Sequence, residues 1–321
     1  MTTAQAPAWS GLPTGYFTHG RIYDPNPLAN APESPERMEA LESRLFVSGL
    51  EDFVERVECG PAPRGVVTLA HDEDYVEALE KASQGDKEAL ARFETADTKV
   101  GPGTFDAAMR SVGAVVAAVD AVFSRTCRNA FCAVRPPGHH AGRARAGGFC
   151  FLNNVAVGAL YARARWGVER VAVLDFDVHH GDGTEEILAG REGVKFLSLF
   201  QWPLFPDRRI VPAPENVVQS PLEAGAAGPE IERVVENEWL PVLADFRPQL
   251  MLLSAGFDAH VEETMAQLKA AERDYAYLTR RMMDAAAALC EGRLVSVLEG
   301  GYSLRSLARS VTAHLQTLVR P

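Results

Sequence analysis

Residues 171–185 read V-A-V-L-D-F-D-V-H-H-G-D-G-T-E, so an uncharged apolar run passes without a break into Asp175, Asp177, His179, His180 and Asp182. A run of this kind suits a strand buried on both faces, which can carry polar residues only at its end. In an extended backbone alternate side chains share a face, so Asp175, Asp177 and His179 can converge on one point while Val178 packs behind them. Carboxylates with an imidazole suit a borderline divalent cation. The stretch therefore restricts the chain to folds in which a buried strand opens onto a polar rim.

The same arrangement recurs. A-F-C-A-V (130–134) is followed by R-P-P-G-H-H, L-M-L-L (250–253) by S-A-G-F-D-A-H, and L-V-S-V-L (294–298) by E-G-G-Y. Further short strands are expected at 15–19 and 194–199, with a short apolar run at 66–69. Helical spacing lies between them. Ser34 is placed to cap a helix carrying Met38, Leu41, Leu45 and Phe46, Asp72 one carrying Tyr75, Val76 and Leu79, and Thr104 one running to about residue 125. Other helices are expected at 151–166, 184–188, 229–246, 272–290 and 303–319, while 201–228 is rich in Pro and Gly and shows no period. This alternation predicts an α/β fold, one domain over 1–321, with a mainly parallel central sheet covered by helices on both faces. Ligands of such a sheet bind outside the carboxyl ends of the strands, so the four polar turns would form one site.

Composition narrows the function classes. A formal charge of −11 argues against a nucleic-acid surface and leaves room for cationic substrates, although ordinary soluble enzymes are often this acidic. The five cysteines, Cys59, Cys127, Cys132, Cys150 and Cys290, form no C-x-x-C pair, which favours a reducing, cytoplasmic setting. The opening M-T-T-A-Q-A-P-A-W has no basic segment followed by an apolar one, and no long apolar run suggests a membrane anchor.

Within the turns, Asp177 and His179 offer two metal ligands and Asp258 a third, leaving a position open for water and substrate. Taken alone, Asp258 reads more readily as a helix N-cap. His139 and His140 could be surface residues; after R-P-P-G at a strand end they read as general acid/base groups, with Asp175 and Asp182 available to fix their tautomers. Asp175 has a second reading as a ligand for a monovalent cation. Tyr302, after Gly300 and Gly301, could donate to a carbonyl oxygen or simply fill the core. His180 reads as a support rather than a ligand, and His19, His71, His260 and His314 as structural or solvent-facing.

Together R-P-P-G-H-H-A (135–141), G-G-F-C-F-L-N-N-V-A-V (147–157), D-F-D-V-H-H-G-D-G-T (175–184), S-A-G-F-D-A-H (254–260) and L-E-G-G-Y (298–302) resemble the zinc-dependent histone deacetylase and acetylpolyamine amidohydrolase superfamily, nearer its class II branch. The motifs occur in the family's order and span most of the chain. The resemblance implies an arginase-like α/β fold with a narrow channel ending at the metal. It makes Asp177, His179 and Asp258 the zinc ligands, His139 and His140 the catalytic pair oriented by Asp175 and Asp182, and Tyr302 the residue that polarises the acetyl carbonyl. Gly148 and Phe149 fall on one wall of the acyl-lysine channel and Phe205 on the other, and Asp97 matches a rim aspartate that grips the substrate backbone. Asp175, Asp177, His179, Ser198 and Leu199 match a structural potassium site, and Arg37 an arginine lining an internal product channel. The implied chemistry is metal-assisted amide hydrolysis, with ferrous iron an alternative to zinc on the same ligands.

Departures from the family pattern bear on specificity. Ala31 replaces a histidine, and Asp207, Arg208 and Arg209 replace a Gly-Thr-Gly turn. Met265 stands where a polyamine-selective relative has a gatekeeper glutamate, with Glu262 and Glu263 close by. The expected substrate is an acetylated lysine peptide or protein, with acetylated polyamines as the alternative; a homo-oligomer is compatible with either. A catalytically silent acyl-ligand binding protein would show a degraded catalytic position, and none is visible. An arginase-like ureohydrolase would need aspartates for a second metal.

Overall fold

The computed structural model describes residues 11–93 and 95–320; the opening segment read above for an export signal lies outside them. Eight strands, β1 (Thr14–Thr18), β2 (Val54–Glu58), β3 (Asn129–Cys132), β4 (Val171–Asp175), β5 (Val194–Gln201), β6 (Val217–Leu222), β7 (Leu250–Ala255) and β8 (Leu294–Leu298), form one sheet. Their order is β2-β1-β3-β8-β7-β4-β5-β6, and every neighbouring pair is parallel. The strands carrying the four polar turns, β3, β8, β7 and β4, are consecutive neighbours at the centre. Register aligns their ends, with Asp175 opposite both Ser254 and Ser198, and Ala255 opposite Leu298.

Alternation along the central strands feeds two cores. Val171 and Val173 of β4 face one, with Leu252 and Val295, under the helices Thr104–Phe123 and Asn154–Trp166. Ala172 and Leu174 face the other, with Met251 and Leu253, under Glu36–Ser48, Glu272–Leu289 and Leu304–Val319. Because both faces are covered, each Val or Leu is withdrawn from water, worth about 1.5–3 kcal/mol apiece. Among the described residues no helix is long and apolar enough to cross a membrane.

The structure departs from the sequence expectation in several places. Region 201–228 is not wholly irregular, because β6 lies within it; Pro221 is tolerated on this edge strand, where no further partner needs its missing N–H. The edge strand β2 carries V-E-R-V-E, half-buried at its valines and exposed elsewhere. The apolar run at 66–69 overlaps the short helix Arg64–Val67. The helix expected at 229–246 is split into Gly228–Val234 and Leu240–Phe246 by a widened turn at Val235–Trp239, adjoining Pro241, which lacks an N–H for the helical ladder. Caps differ too. Gly103 rather than Thr104 precedes its helix, and Asn153 caps Asn154–Trp166 by accepting from the Ala156 N–H at 3.0 Å.

Candidate active site

The turns after β4 and β7 bring Asp177, His179 and Asp258 together, all buried, with one ligand atom of each within 4.8 Å of the others. His179 Nδ1 lies 3.1 Å from both Asp177 Oδ1 and Asp258 Oδ2. Ligands about 2.0–2.1 Å from a tetrahedral zinc ion stand roughly 3.3 Å apart, so this donor set fits such an ion in spacing and in chemistry. The carboxylates are held by backbone: Gly300 N–H donates to Asp177 Oδ2 at 2.9 Å, His179 N–H to Asp177 Oδ1 at 2.8 Å, and Val178 N–H to Asp258 Oδ1 at 2.9 Å. Gly300 permits this approach, since a Cβ there would lie 2.6 Å from Asp177 Oδ2 and run into the Asp258 carboxylate. The negative potential is strong. Burial opposes a charge on His179, yet its hydrogen bonds to the Asp177 and Asp258 carboxylates push it up to about 10. Among the described residues no second cluster of this kind occurs.

Asp175 does not join that cluster. Its Oδ2 pairs with His139 Nδ1 at 3.0 Å, while Oδ1 accepts from the Asp177 N–H at 3.1 Å. His140 Nδ1 is 2.8 Å from Asp182 Oδ1, so each histidine of the pair has its own carboxylate. The two rings lie 4.0 Å apart by centroid. His139 Nε2 is 3.8 Å from Asp177 Oδ2, which places the pair beside the Asp177–His179–Asp258 cluster. Their titrations are driven apart. Burial disfavours the cation in both; Asp177 and Asp175 outweigh it at His139 and raise its pKa, whereas burial and the charge on His139 lower His140 to about 4.

Tyr302 is partly buried, and burial raises its phenol well above the usual value, against the nearby Arg37 guanidinium. Its ring meets Phe149 at 5.7 Å. Phe149 has φ +66°, an unfavourable conformation for a bulky residue, and is fixed by its N–H donating to Thr98 Oγ1 at 2.9 Å. Asp97 accepts from the Gly148 N–H at 3.1 Å, so it braces the backbone beside Phe149. Phe205 packs 5.1 Å from His140 and 6.1 Å from His179 by ring centroid and is 46% exposed. Ser198 and Leu199 are buried on β5; Ser198 Oγ is 2.9 Å from His180 Nδ1, whose Nε2 reaches Glu185 at 2.8 Å, so His180 stands apart from the Asp177–His179–Asp258 cluster. His19, His71, His260 and His314 are all buried, none solvent-facing.

Met265 is half-buried in the loop after β7. The adjacent carboxylates are engaged elsewhere: Glu262 pairs with Arg309 at 2.7 Å, and Glu263 Oε2 accepts from the N–H groups of Tyr302 at 2.8 Å and Ser303 at 3.0 Å. Sequence reasoning gave Glu263 no such role, and it passed over three other residues. Glu299 bonds the turn after β3 to β8; Glu33 receives both Arg37 and Arg135 in a buried cluster; Arg145 reaches Asp182. Glu299 sits inside a motif that had been read only for its glycines and tyrosine, so a buried carboxylate between a strand and a Gly-Gly turn was the available signal. Arg37 donates to the carbonyls of Gly301 at 2.7 Å and Glu299 at 2.5 Å. A cavity of about 40 Å³ lies beside Glu33, Arg135 and Pro136.

Residues 31–318 match the histone deacetylase domain. The chain is similar to a probable deacetylase of Archaeoglobus fulgidus, 35% identical over 302 residues that cover 91% of this chain and 82% of that one. It is also similar to the mouse polyamine deacetylase HDAC10, 34% identical over 301 residues, 89% of this chain but 45% of the mouse protein. The crystal structure of the HDA15 HD domain superposes with a TM-score of 0.89 at 29% identity, covering 96% of this chain and 88% of that one. With a match over nearly its whole length and a shared arginase-like sheet, the chain belongs to the histone deacetylase family.

Proposed function

We propose that this protein hydrolyses the amide of acetylated, or similarly short acylated, lysine side chains in peptides and proteins. The observation that carries the reading is the convergence at the carboxyl ends of the central strands of Asp177, His179 and Asp258 with two carboxylate-backed histidines and Tyr302. Asp177, His179 and Asp258 would hold a zinc ion, which when bound polarises the acyl carbonyl and acidifies water. With both Nδ1 atoms directed at carboxylates, Nε2 of His139 and of His140 is the atom left to exchange protons with water and with the leaving amine. The raised pKa of Tyr302 keeps its hydroxyl protonated at neutral pH, ready to donate to the acyl oxygen as negative charge develops there. Phe149 and Phe205 enclose the aliphatic stem of the lysine, with Gly148 and Asp97 at the rim.

Asp175, Asp177, His179, Ser198 and Leu199 form the proposed potassium site. Five free, buried cysteines support a reducing compartment such as the cytoplasm. A neutral Met265, with Glu262 and Glu263 already paired, favours lysine over a polyamine, whose extra ammonium groups would want a free carboxylate. The test is the ratio of kcat/KM for an acetyl-lysine peptide to that for acetylputrescine. A ratio well above one supports the reading, and a ratio below one transfers it to polyamines.

A further inference from the structure

His140 is backed by more than a carboxylate. Asp182 Oδ1 faces His140 Nδ1 at 2.8 Å, and Asp182 Oδ2 accepts from the Arg145 guanidinium at 2.8 Å. A second nitrogen of Arg145 donates to the backbone carbonyl of His140 at 3.2 Å, so the arginine grips both members of the pair. The third partner is Glu186, at 3.3 Å on the outer side. Asp182 is 6% exposed and Arg145 29%, so the chain of contacts runs from a buried imidazole to the wall of an open groove of about 590 Å³. That groove is lined by Arg145, Asp182, Glu186, Trp202 and Arg209, and neither Phe149 nor Phe205, the proposed walls of the acyl-lysine channel, is among its lining residues.

The physical consequence concerns orientation. A carboxylate bonded at one oxygen only can rotate about its Cβ–Cγ bond; one bonded at both oxygens cannot do so without losing a charge-assisted hydrogen bond. His139 shows the contrast. Its carboxylate, Asp175, is pinned by the Asp177 N–H, whereas among the described residues no backbone N–H holds the Asp182 carboxylate, which starts the helix Asp182–Leu188. Arg145 supplies that hold from the side of the solvent.

We propose that Arg145 is a positioning residue for His140: it locks the Asp182 carboxylate in the plane that orients the imidazole, without itself touching substrate. The proposal rests on the deacylase reading and concerns which groups set the turnover rate. Arg145→Ala should lower kcat for an acetyl-lysine peptide by on the order of 10- to 100-fold, the scale of removing a partner that orients a working imidazole, while KM changes by less than about twofold. The open groove makes chemical rescue feasible. Guanidinium or methylguanidinium ion at millimolar concentration should restore part of the lost kcat in Arg145→Ala and leave the wild type unchanged.

The experiment compares wild type, Arg145→Ala, Arg145→Lys, Asp182→Asn and the double variant Arg145→Ala/Asp182→Asn, with Tm and bound metal recorded for each. The expected result is a kcat loss in Arg145→Ala at unchanged metal content, partial retention in Arg145→Lys, rescue by guanidinium, and no added loss in the double variant over Asp182→Asn. Arg145→Ala turnover within twofold of wild type, or an equal loss with and without Asp182, overturns the proposal. So does a loss that guanidinium leaves untouched. If Arg145→Ala does not fold, Arg145→Lys with the same rescue and cycle decides. An inactive wild type would instead count against the deacylase reading, so the two failures are distinct.

Discussion

Glu299 Oε2 accepts hydrogen bonds from the backbone N–H of His139 at 3.2 Å and of its neighbour Gly138 at 2.7 Å, so the end of β8 holds the histidine pair that follows β3. Its other oxygen accepts from Ser254 Oγ at 3.0 Å, tying in β7. Burial pushes the Glu299 carboxyl up to about 7, so a neutral amide of the same shape is a mild change. Glu299→Gln is expected to keep stability within about 1 kcal/mol of wild type, while Glu299→Ala leaves buried donors unpaired and costs about 2–4 kcal/mol. Urea unfolding of the two variants measures the difference; equal losses would mean the hydrogen bonds do not matter.

Gly300→Ala introduces a Cβ 2.6 Å from Asp177 Oδ2, and the carboxylates it meets are held by backbone and cannot swing aside. The expected outcome is a folded protein with reduced metal binding and at least a 10-fold lower turnover. Metal content by mass spectrometry, read beside the far-ultraviolet circular dichroism, checks it. Full metal occupancy with full activity would show that the turn yields.

The readable part of the molecule was the repeated sequence of apolar strand and polar turn, because strands buried on both faces can place chemistry only at their ends. That logic located β3, β4, β7 and β8 and brought Asp177, His179 and Asp258 to one point. It fails at the sheet edges. In β2 the V-E-R-V-E pattern is mostly solvated, and in β6 a proline interrupts V-V-Q-S-P-L, so neither carries the apolar signal of a central strand. It fails again for Glu299, Glu263 and Arg145, whose partners are far away in sequence: Glu299 bonds residues 161 and 160 positions away, information that exists only after the fold has formed.

Acid should weaken the fold through buried histidines outside the Asp177–His179–Asp258 cluster. His71 Nε2 accepts from the Asn153 N–H at 2.8 Å and so must be neutral; burial lowers it to about 4, and burial lowers His314 to about 3 and His19 to about 4. Their unfolded value is about 6.5. Below that pH the unfolded chain binds protons that the folded one refuses, so stability is intact above pH 6.5 and falls as pH drops towards 4. Each histidine contributes a slope of about 1.4 kcal/mol per pH unit. Unfolding free energies between pH 7.5 and 4.5 test this, and His71→Gln should shallow the slope by one histidine's share.

Substrate choice should respond to position 265. Met265→Glu adds a carboxylate to the loop whose other acids, Glu262 and Glu263, are already paired. It is expected to raise kcat/KM for acetylputrescine relative to an acetyl-lysine peptide by roughly tenfold, equivalent to about 1.4 kcal/mol. Competition assays with both substrates give the ratio directly, and an unchanged ratio would remove Met265 from the determinants of specificity.

The central claim is that a metal held by Asp177, His179 and Asp258 carries out the hydrolysis. The most direct measurement is acetate release from an acetyl-lysine peptide by wild type and Asp258→Asn, first stripped with chelator and then titrated with zinc. The account predicts that stripping abolishes release, that about one equivalent of zinc restores it in the wild type, and that Asp258→Asn is not restored at that stoichiometry. Release that persists in metal-free protein, or equal restoration of both proteins at one equivalent, would contradict it.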